Sequence, residues 1–487
     1  MRTHLRRRLT IGTAIIASVL VGSAACGTPS EPTSPARGTS SGATGGASGG
    51  STGVATGPVK RLWKAAWRSG GEGPPDDAKD VVISPDGLTS YVVGSGPVIA
   101  YATASGQQRW TADDPAFTQG LVSGAVSADG SLVFVTGPTT KADTGENYTT
   151  VALDASSGKP LWRKSYTGPG AGADTPAAIV AAGDLVVVNG TSAGSGTGVD
   201  FATVAYDAKT GTQKWVARYD GAAHGDEGWF PSGIHSLAAN QAGSMVYVTG
   251  GSQGAGGADY ATVAYEAATG TRKWVATYSD PSKANDVSAA VAVSPDGVTV
   301  VTTGASESKT TKTDSATVAY NAATGKQAWV KRYNGPASQN EGTGAIAFAP
   351  DGQSVFVTGT SEGATQGKED FITIAYGTTD GTQRWAVRWD GKNGGDDNAA
   401  DLATGPDGTT LVVTGKTVPA PMQDEYATVG YDPATGKVLW TATFASLSAN
   451  ESRASEAHAV AISKDGTIVV TGVSGVGYGT VAYRATK

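Results

Sequence analysis

From residue 59 onward, short runs of alternating apolar and polar residues are separated by turn residues, and the arrangement returns about every 50 residues. The stretch 287 to 333 shows one unit. "VSAAVAV" and "VTVVTTG" flank the tight turn "SPDG" at 294, a loop rich in Ser, Thr and Lys follows, and "ATVAYN" and "KQAWVKRY" surround "AATG". β-Branched and aromatic residues alternating with small polar ones predict four antiparallel strands. No stretch carries an amphipathic helical period of useful length. Eight tryptophans close the corresponding phrases: Trp63, Trp110, Trp162, Trp215, Trp274, Trp329, Trp385 and Trp440. Eight turn signals lie between them in the same phase, at 84, 127, 181, 240, 294, 349, 405 and 463. Pro presets φ at the second position of several, and Gly accepts a left-handed backbone. Repeated four-stranded units are most simply arranged radially, which predicts an all-β, eight-bladed β-propeller of four-stranded antiparallel blades over 59–487.

The two ends of the repeat region complement each other. The last unit breaks off at "TVAYRATK" without a tryptophan, while Trp63 in "RLWKAAW" has no "VAYD" phrase before it. Residues 59 to 68 are therefore predicted to pair, as an outer strand, beside 478 to 484, which closes the ring and leaves no blade with a bare edge.

The phrase from Ala205 to Trp215 resembles the docking motif A-x-D-x-x-T-G-x-x-x-W of the quinoprotein propellers, the family that includes the pyrroloquinoline-quinone (PQQ) dehydrogenases. Ala205, Asp207, Thr210, Gly211 and Trp215 fall on it. Single copies drift: Gly430 replaces the alanine, Asn321 and Glu266 replace the aspartate, and Gly377 and Ala102 lose the acid. "DYATVAY" at 259, varied at 200 and 370, is also similar to repeats of secreted bacterial propellers without a known cofactor. The resemblance implies that each tryptophan packs flat between neighbouring blades. The residues agree, since an indole buries a large rigid plane, Ala or Gly leaves room for it, and Gly supplies the αL turn. Seven of the eight also have an aromatic residue four positions on, as in Trp215 and Tyr219, which places both rings on one face of a strand. Trp110, followed by Asp114, is the exception. The motif is therefore read as adhesive between blades rather than as a chemical site.

The N-terminus gives an address. "MRTHLRRRLTIGTAIIASVLVGSAAC" carries four arginines and then an apolar stretch too short to span a bilayer comfortably, the form of an export signal over 1–25. Cys26 is the only cysteine, so an internal disulfide is excluded. With the small residues before it, it resembles a bacterial lipobox, although Ser23 stands where Leu, Val or Ile is usual; the alternative is a plain secretory signal. Arg6, Arg7 and Arg8 also suggest a twin-arginine route, which the following residues match weakly. Residues 27–58 are almost entirely Gly, Ser, Thr, Ala and Pro and cannot bury enough apolar surface to order themselves. The segment 26–58 is read as a lipidated cysteine on a flexible tether reaching roughly 30 Å. Removing the signal's four arginines from the 36 cationic residues leaves 32 against 43 acids, a net charge near −11. That balance argues against nucleic acid and anionic lipid headgroups as partners, and the lipid anchor implied by the lipobox resemblance is the expected membrane contact.

Catalytic signals are sparse. The resemblance to quinoproteins implies a PQQ-dependent alcohol or sugar dehydrogenase, whose alcohol-oxidising branch places a vicinal disulfide beside the quinone and holds calcium on long loops. This chain lacks the second cysteine, the long insertions and a CxxCH haem motif. Beyond the signal, only His224, His235 and His458 are present, with no HExxH or Cys/His spacing, so no metal site is assigned. The glycines at 250–257 precede no helix, and no G-x-S-x-G elbow is present.

Acids recur in the loops between one unit's tryptophan strand and the next unit's first strand: Asp77, Asp174, Asp226 and Glu227, Asp286, Glu341, Asp397 and Glu451. Radial repetition brings such loops to one face. They are expected either to line an acidic mouth for a cation or polar ligand, or each to brace its own loop, which is favoured. The loop 221–235, longer than its counterparts, adds Trp229 and Phe230 beside Asp226 and Glu227, suiting carbohydrate or peptide capture or else a fold over its own blade. The expected function is a noncatalytic extracytoplasmic scaffold for a protein or glycan partner, without a cofactor. The alternatives are a PQQ- and calcium-dependent oxidoreductase and a ligand sensor.

Overall fold

The computed structural model describes residues 55–69, 76–113, 120–141, 145–227, 233–254, 256–363, 368–421, 423–445, 455–475 and 477–486. Cys26, Trp229, Phe230 and Glu451 lie outside the described residues. Eight antiparallel sheets follow one another along the chain. Blades 1 to 7 are formed by 78–112, 123–166, 174–219, 237–278, 286–333, 341–389 and 397–444, and blade 8 by 455–485 together with Val59–Trp67. No helix occurs among the described residues, and none there is long and apolar enough to cross a membrane.

Closure occurs where the ends of the repeat region predict it. Val59–Trp67 pairs with Gly477–Ala485, in a register running from Val59 opposite Ala485 to Trp67 opposite Tyr478. The first strands of the eight blades, from Ala78–Ile83 round to Ser455–Ile462, each contact the first strand of both neighbours, and the last touches the first. They therefore line the axis of a closed ring. One element lies within the segment expected to be tether: Ala55–Thr56 pairs with Val438–Phe444 as a fifth, outermost strand of blade 7.

The hairpin turns after the first strands place glycine in the left-handed region, as at Gly297, with φ of 72°. There is no single core. Apolar clusters lie between adjacent blades, such as Phe134, Ala152 and Tyr166 of blade 2 against Val186, Val188 and Val204 of blade 3. The fourth-strand tryptophans cover the outer side of these layers. Trp274 Nε1 donates to Ala322 O of the next blade at 2.9 Å, and its ring lies against Gly325, where an added Cβ would sit 2.6 Å from Cδ2. Trp63, Trp110, Trp162, Trp215, Trp329 and Trp385 donate in the same way to Thr103, Ala155, Ala208, Ala267, Thr378 and Pro433. Trp440 differs. Its neighbour, blade 8, has the chain ends where the other blades have the glycine turn, and the buried Trp440 Nε1 has no acceptor among the described residues. The second aromatic of several pairs also meets a ring of its own blade, as in Tyr260 with Tyr278 and Phe371 with Trp389.

Candidate functional site

Two places bring chemistry-bearing side chains together: the junctions between blades on one face, and the axis.

At the junctions, the acid opening a blade is a brace. Asp174 accepts from Gly168 N at 2.7 Å and from Ser192 Oγ at 2.5 Å. Asp286 accepts from Asp280 N at 2.7 Å and from Ser306 Oγ. Asp397 accepts from Gly391 N at 2.6 Å, and Glu227 and Glu341 from Ser252 and Ser361. In each case a loop backbone six residues upstream and a second-strand hydroxyl are tied to one carboxylate. Asp174, Glu227, Asp286, Glu341 and Asp397 are all fully buried. These five side chains face inward and each braces its own loop rather than lining an open mouth. Burial pushes Glu227 and Glu341 up to about 7 and Asp286 and Asp397 up to about 6, against the hydrogen bonds they accept. Asp226 is exposed and accepts from Val199 N at 3.0 Å. Asp77 contacts Lys79 and His458; burial opposes its charge, but its hydrogen bonds and attraction to these two side chains hold the carboxyl below its usual range.

Three blades add an arginine that charge patterning alone does not reveal. Arg218 reaches Asp200 Oδ2 through Nε at 3.0 Å and Nη2 at 2.6 Å, while Nη1 donates to Ser192 Oγ at 2.6 Å and to Tyr166 OH of the preceding blade at 2.9 Å. Ser192 then donates to Asp174, so guanidinium, hydroxyl and buried acid form one chain. Arg332 with Asp314, Ser306 and Asp286 repeats it, as does Arg388 with Asp370, Ser361 and Glu341. In blades 4 and 7 the same register position, opposite Ala261 and Ala427, is Thr277 and Thr443. Trios of carboxylates form there, each offering one oxygen within 4.8 Å of the others: Asp200, Asp220 and Glu227, and Asp370, Asp390 and Asp397.

The axis holds the second constellation. His235, on the connection leading into blade 4, places Nε2 3.1 Å from Asp401 Oδ1 on the first strand of blade 7, as an ion pair rather than an aligned hydrogen bond. Asp80 of blade 1 also acts on it electrostatically. Both acids follow irregularities of strand pairing, at Ala78/Asp80 and Ala399/Asp401, and such bulges re-aim side chains. Each is tied to the next blade, Asp80 Oδ2 accepting from Gly124 N and Asp401 Oδ2 from Val460 N, both at 2.8 Å. Ile234 packs against the apolar cluster shared by blades 8 and 1. The backbone stays on its own side, where His235 O accepts from Val291 N of blade 5 at 2.9 Å. A connection of blade 4 touching blades 7, 8 and 1 crosses the axis, so the end of the loop 221–235 runs into the channel instead of folding over its own blade.

In a propeller the axial channel is the natural deep concavity for a small ligand. Here, at the level of Asp80 and Asp401, it holds Ile234 and His235. A planar quinone there would have to displace both, so the residues present do not fit PQQ, and no chemistry is derived through it.

No curated protein matches the chain. Among solved structures, it is similar to BamB from Moraxella catarrhalis (13% identity, 88% of this chain and 97% of that one, TM-score 0.48). It is also similar to the quinohemoprotein alcohol dehydrogenase from Comamonas testosteroni (15%, 88% and 77%, TM-score 0.56) and a europium-containing methanol dehydrogenase (14%, 88% and 93%, TM-score 0.51). At such identities the likeness to the two dehydrogenases is one of fold. The family model described as outer membrane protein assembly factor BamB matches residues 54–203, 197–362 and 282–486, and the chain, an eight-bladed propeller of PQQ-like repeats, belongs to that family.

Proposed function

We propose that this chain is a noncatalytic scaffold outside the cytoplasmic membrane, tethered through Cys26 and presenting the rigid face of its propeller to a protein or glycan partner. The observation that carries this reading is the occupied axis: Ile234 and His235 stand where a propeller enzyme would hold a cofactor or small substrate. The description of the family as an assembly factor of the outer membrane supports the same reading, and the resemblance of the N-terminus to an export signal ending at a cysteine is consistent with that setting. The buried acids then serve rigidity, since each ties a loop of one face to its own blade. A face whose loops are braced in this way loses little conformational entropy when a partner docks.

The test is retention of the quinone. The purified chain is mixed with PQQ and calcium and passed through a desalting column, and the eluted protein is read by absorbance. No co-eluting quinone is the expected result. One equivalent retained per chain would overturn the scaffold reading in favour of the oxidoreductase.

A further inference from the structure

We propose that the junction between blades 3 and 4 is a calcium site formed by Asp200, Asp220 and Glu227. The three come from separate elements: Asp200 from the third strand of blade 3, Asp220 from the residue after its fourth strand, and Glu227 from the connection into blade 4. Each carboxylate has one oxygen committed and one free. Asp200 Oδ2 takes Arg218, Asp220 Oδ2 lies 2.6 Å from His224 Nδ1, and Glu227 Oε1 accepts from Ser252 Oγ at 3.2 Å. The other three oxygens, Asp200 Oδ1, Asp220 Oδ1 and Glu227 Oε2, are buried and have no hydrogen-bond partner among the described residues. Glu227 is fully buried and Asp200 is 3% exposed, so water does not satisfy those oxygens from bulk.

Unpartnered buried carboxylate oxygens are costly, and three together call for a cation. The other junctions do not gather three such acids. At blades 4 and 5 Arg332 reaches Asp280, and at blades 5 and 6, where Asp314 Oδ1 and Glu341 Oε2 are also buried without a partner, the middle position is Asn334, so only two carboxylates meet. At blades 2 and 3 the corresponding positions are Asn147 and Thr167, bonded to each other. At blades 3 and 4 the opening acid has Thr277 in place of its own blade's arginine, and no side-chain cation contacts Glu227 among the described residues. One oxygen of each acid lies within 4.8 Å of one oxygen of the other two, the widest spacing a common ion about 2.4 Å from its ligands can bridge, and that is the distance at which calcium takes carboxylates, with water completing its shell. An all-oxygen set favours a hard cation over zinc. Asp220 and Glu227 bracket the turn that begins the connection to His235, so the ion would pin the root of the segment that crosses the axis. The trio Asp370, Asp390 and Asp397 is a weaker relative, because Asp390 is exposed.

The test uses the full chain after treatment with EDTA. Calorimetric titration with calcium chloride at about pH 7.5 is expected to show a saturable site, and the thermal midpoint to rise by several degrees over the EDTA sample. E227Q, and separately D220N at the more accessible edge, are expected to abolish both responses, while D397N keeps them. Two variants are used because either alone could disturb the loop. A wild-type chain without heat or midpoint shift would overturn the proposal. So would a response that survives in E227Q and D220N, one lost only in D397N, or an equal response to magnesium. A midpoint that moves with pH but not with calcium would also overturn it, identifying a shared proton instead.

Discussion

His235 enters the ring with blade 4, yet its Nε2 lies 3.1 Å from Oδ1 of Asp401 in blade 7. The pair joins opposite sides of the propeller through the axis, with Asp80 of blade 1 close enough to act on the same imidazole. It thereby fixes the segment on which the noncatalytic reading depends.

The charge on this pair is testable by pH. Burial opposes the imidazolium, but Asp401 and Asp80 outweigh it, so the His235 pKa is raised above 6.5. A raised histidine pKa contributes stability that is fully present below the unfolded value and lost as pH climbs through the folded one. His235→Gln should cost about 1–3 kcal/mol near pH 6 and much less near pH 9, by chemical denaturation at both. An equal loss at the two pH values would show that packing, not charge, holds the segment.

The seam between the chain ends gives a comparison between two tryptophans. Trp274 donates to Ala322 O, whereas the buried Trp440 Nε1 lacks an acceptor among the described residues. Phenylalanine removes the N–H at either position. Trp274→Phe should therefore destabilise more than Trp440→Phe, by about 1–2 kcal/mol, since only the first change orphans a buried carbonyl. Equal costs in urea denaturation would contradict the docking role given to the indole N–H.

Glu341 is buried, and its pKa is raised from 4.5 to about 7. A carboxylate raised in this way costs stability as pH climbs through that interval, because its ionised form is disfavoured in the folded state. Glu341→Gln keeps an acceptor for Gly335 N and Ser361 Oγ. It should stabilise the chain by about 1–3 kcal/mol near pH 8 and change little near pH 4. Lower stability at pH 8 would mean that the charge itself is needed.

The repeat, the eight tryptophans and the closing strand were legible because each is written in local sequence: a turn glycine, a period of two, an aromatic at a fixed offset. The meaning of the acids was only half legible. Their positions recur visibly, but Asp174 is buried because Ser192 and Gly168 satisfy it, and those partners lie 18 residues ahead and six behind. Arg218 and Asp200 lie on adjacent strands, and a pair 18 residues apart has no mark in a helical or strand period. The contact of His235 with Asp401 spans 166 positions and three blades of the ring, and nothing around either residue announces it.

The proposed address rests on Cys26. Cys26→Ser should move the protein from the membrane fraction to the soluble fraction of bacteria expressing it, because a lipid anchor is the membrane contact proposed for this chain. Unchanged fractionation, followed by immunoblot, would point to a different attachment.

The central claim is a ring closed by Val59–Trp67 against Gly477–Ala485. The most direct measurement is the thermal midpoint of a chain beginning at residue 69, beside one beginning at residue 55. Loss of the closing strand with Trp63 and Trp67 should lower the midpoint by more than about 10 °C, and an excess of a peptide covering 55–69 should restore much of it. Identical midpoints for the two chains would contradict the closed ring.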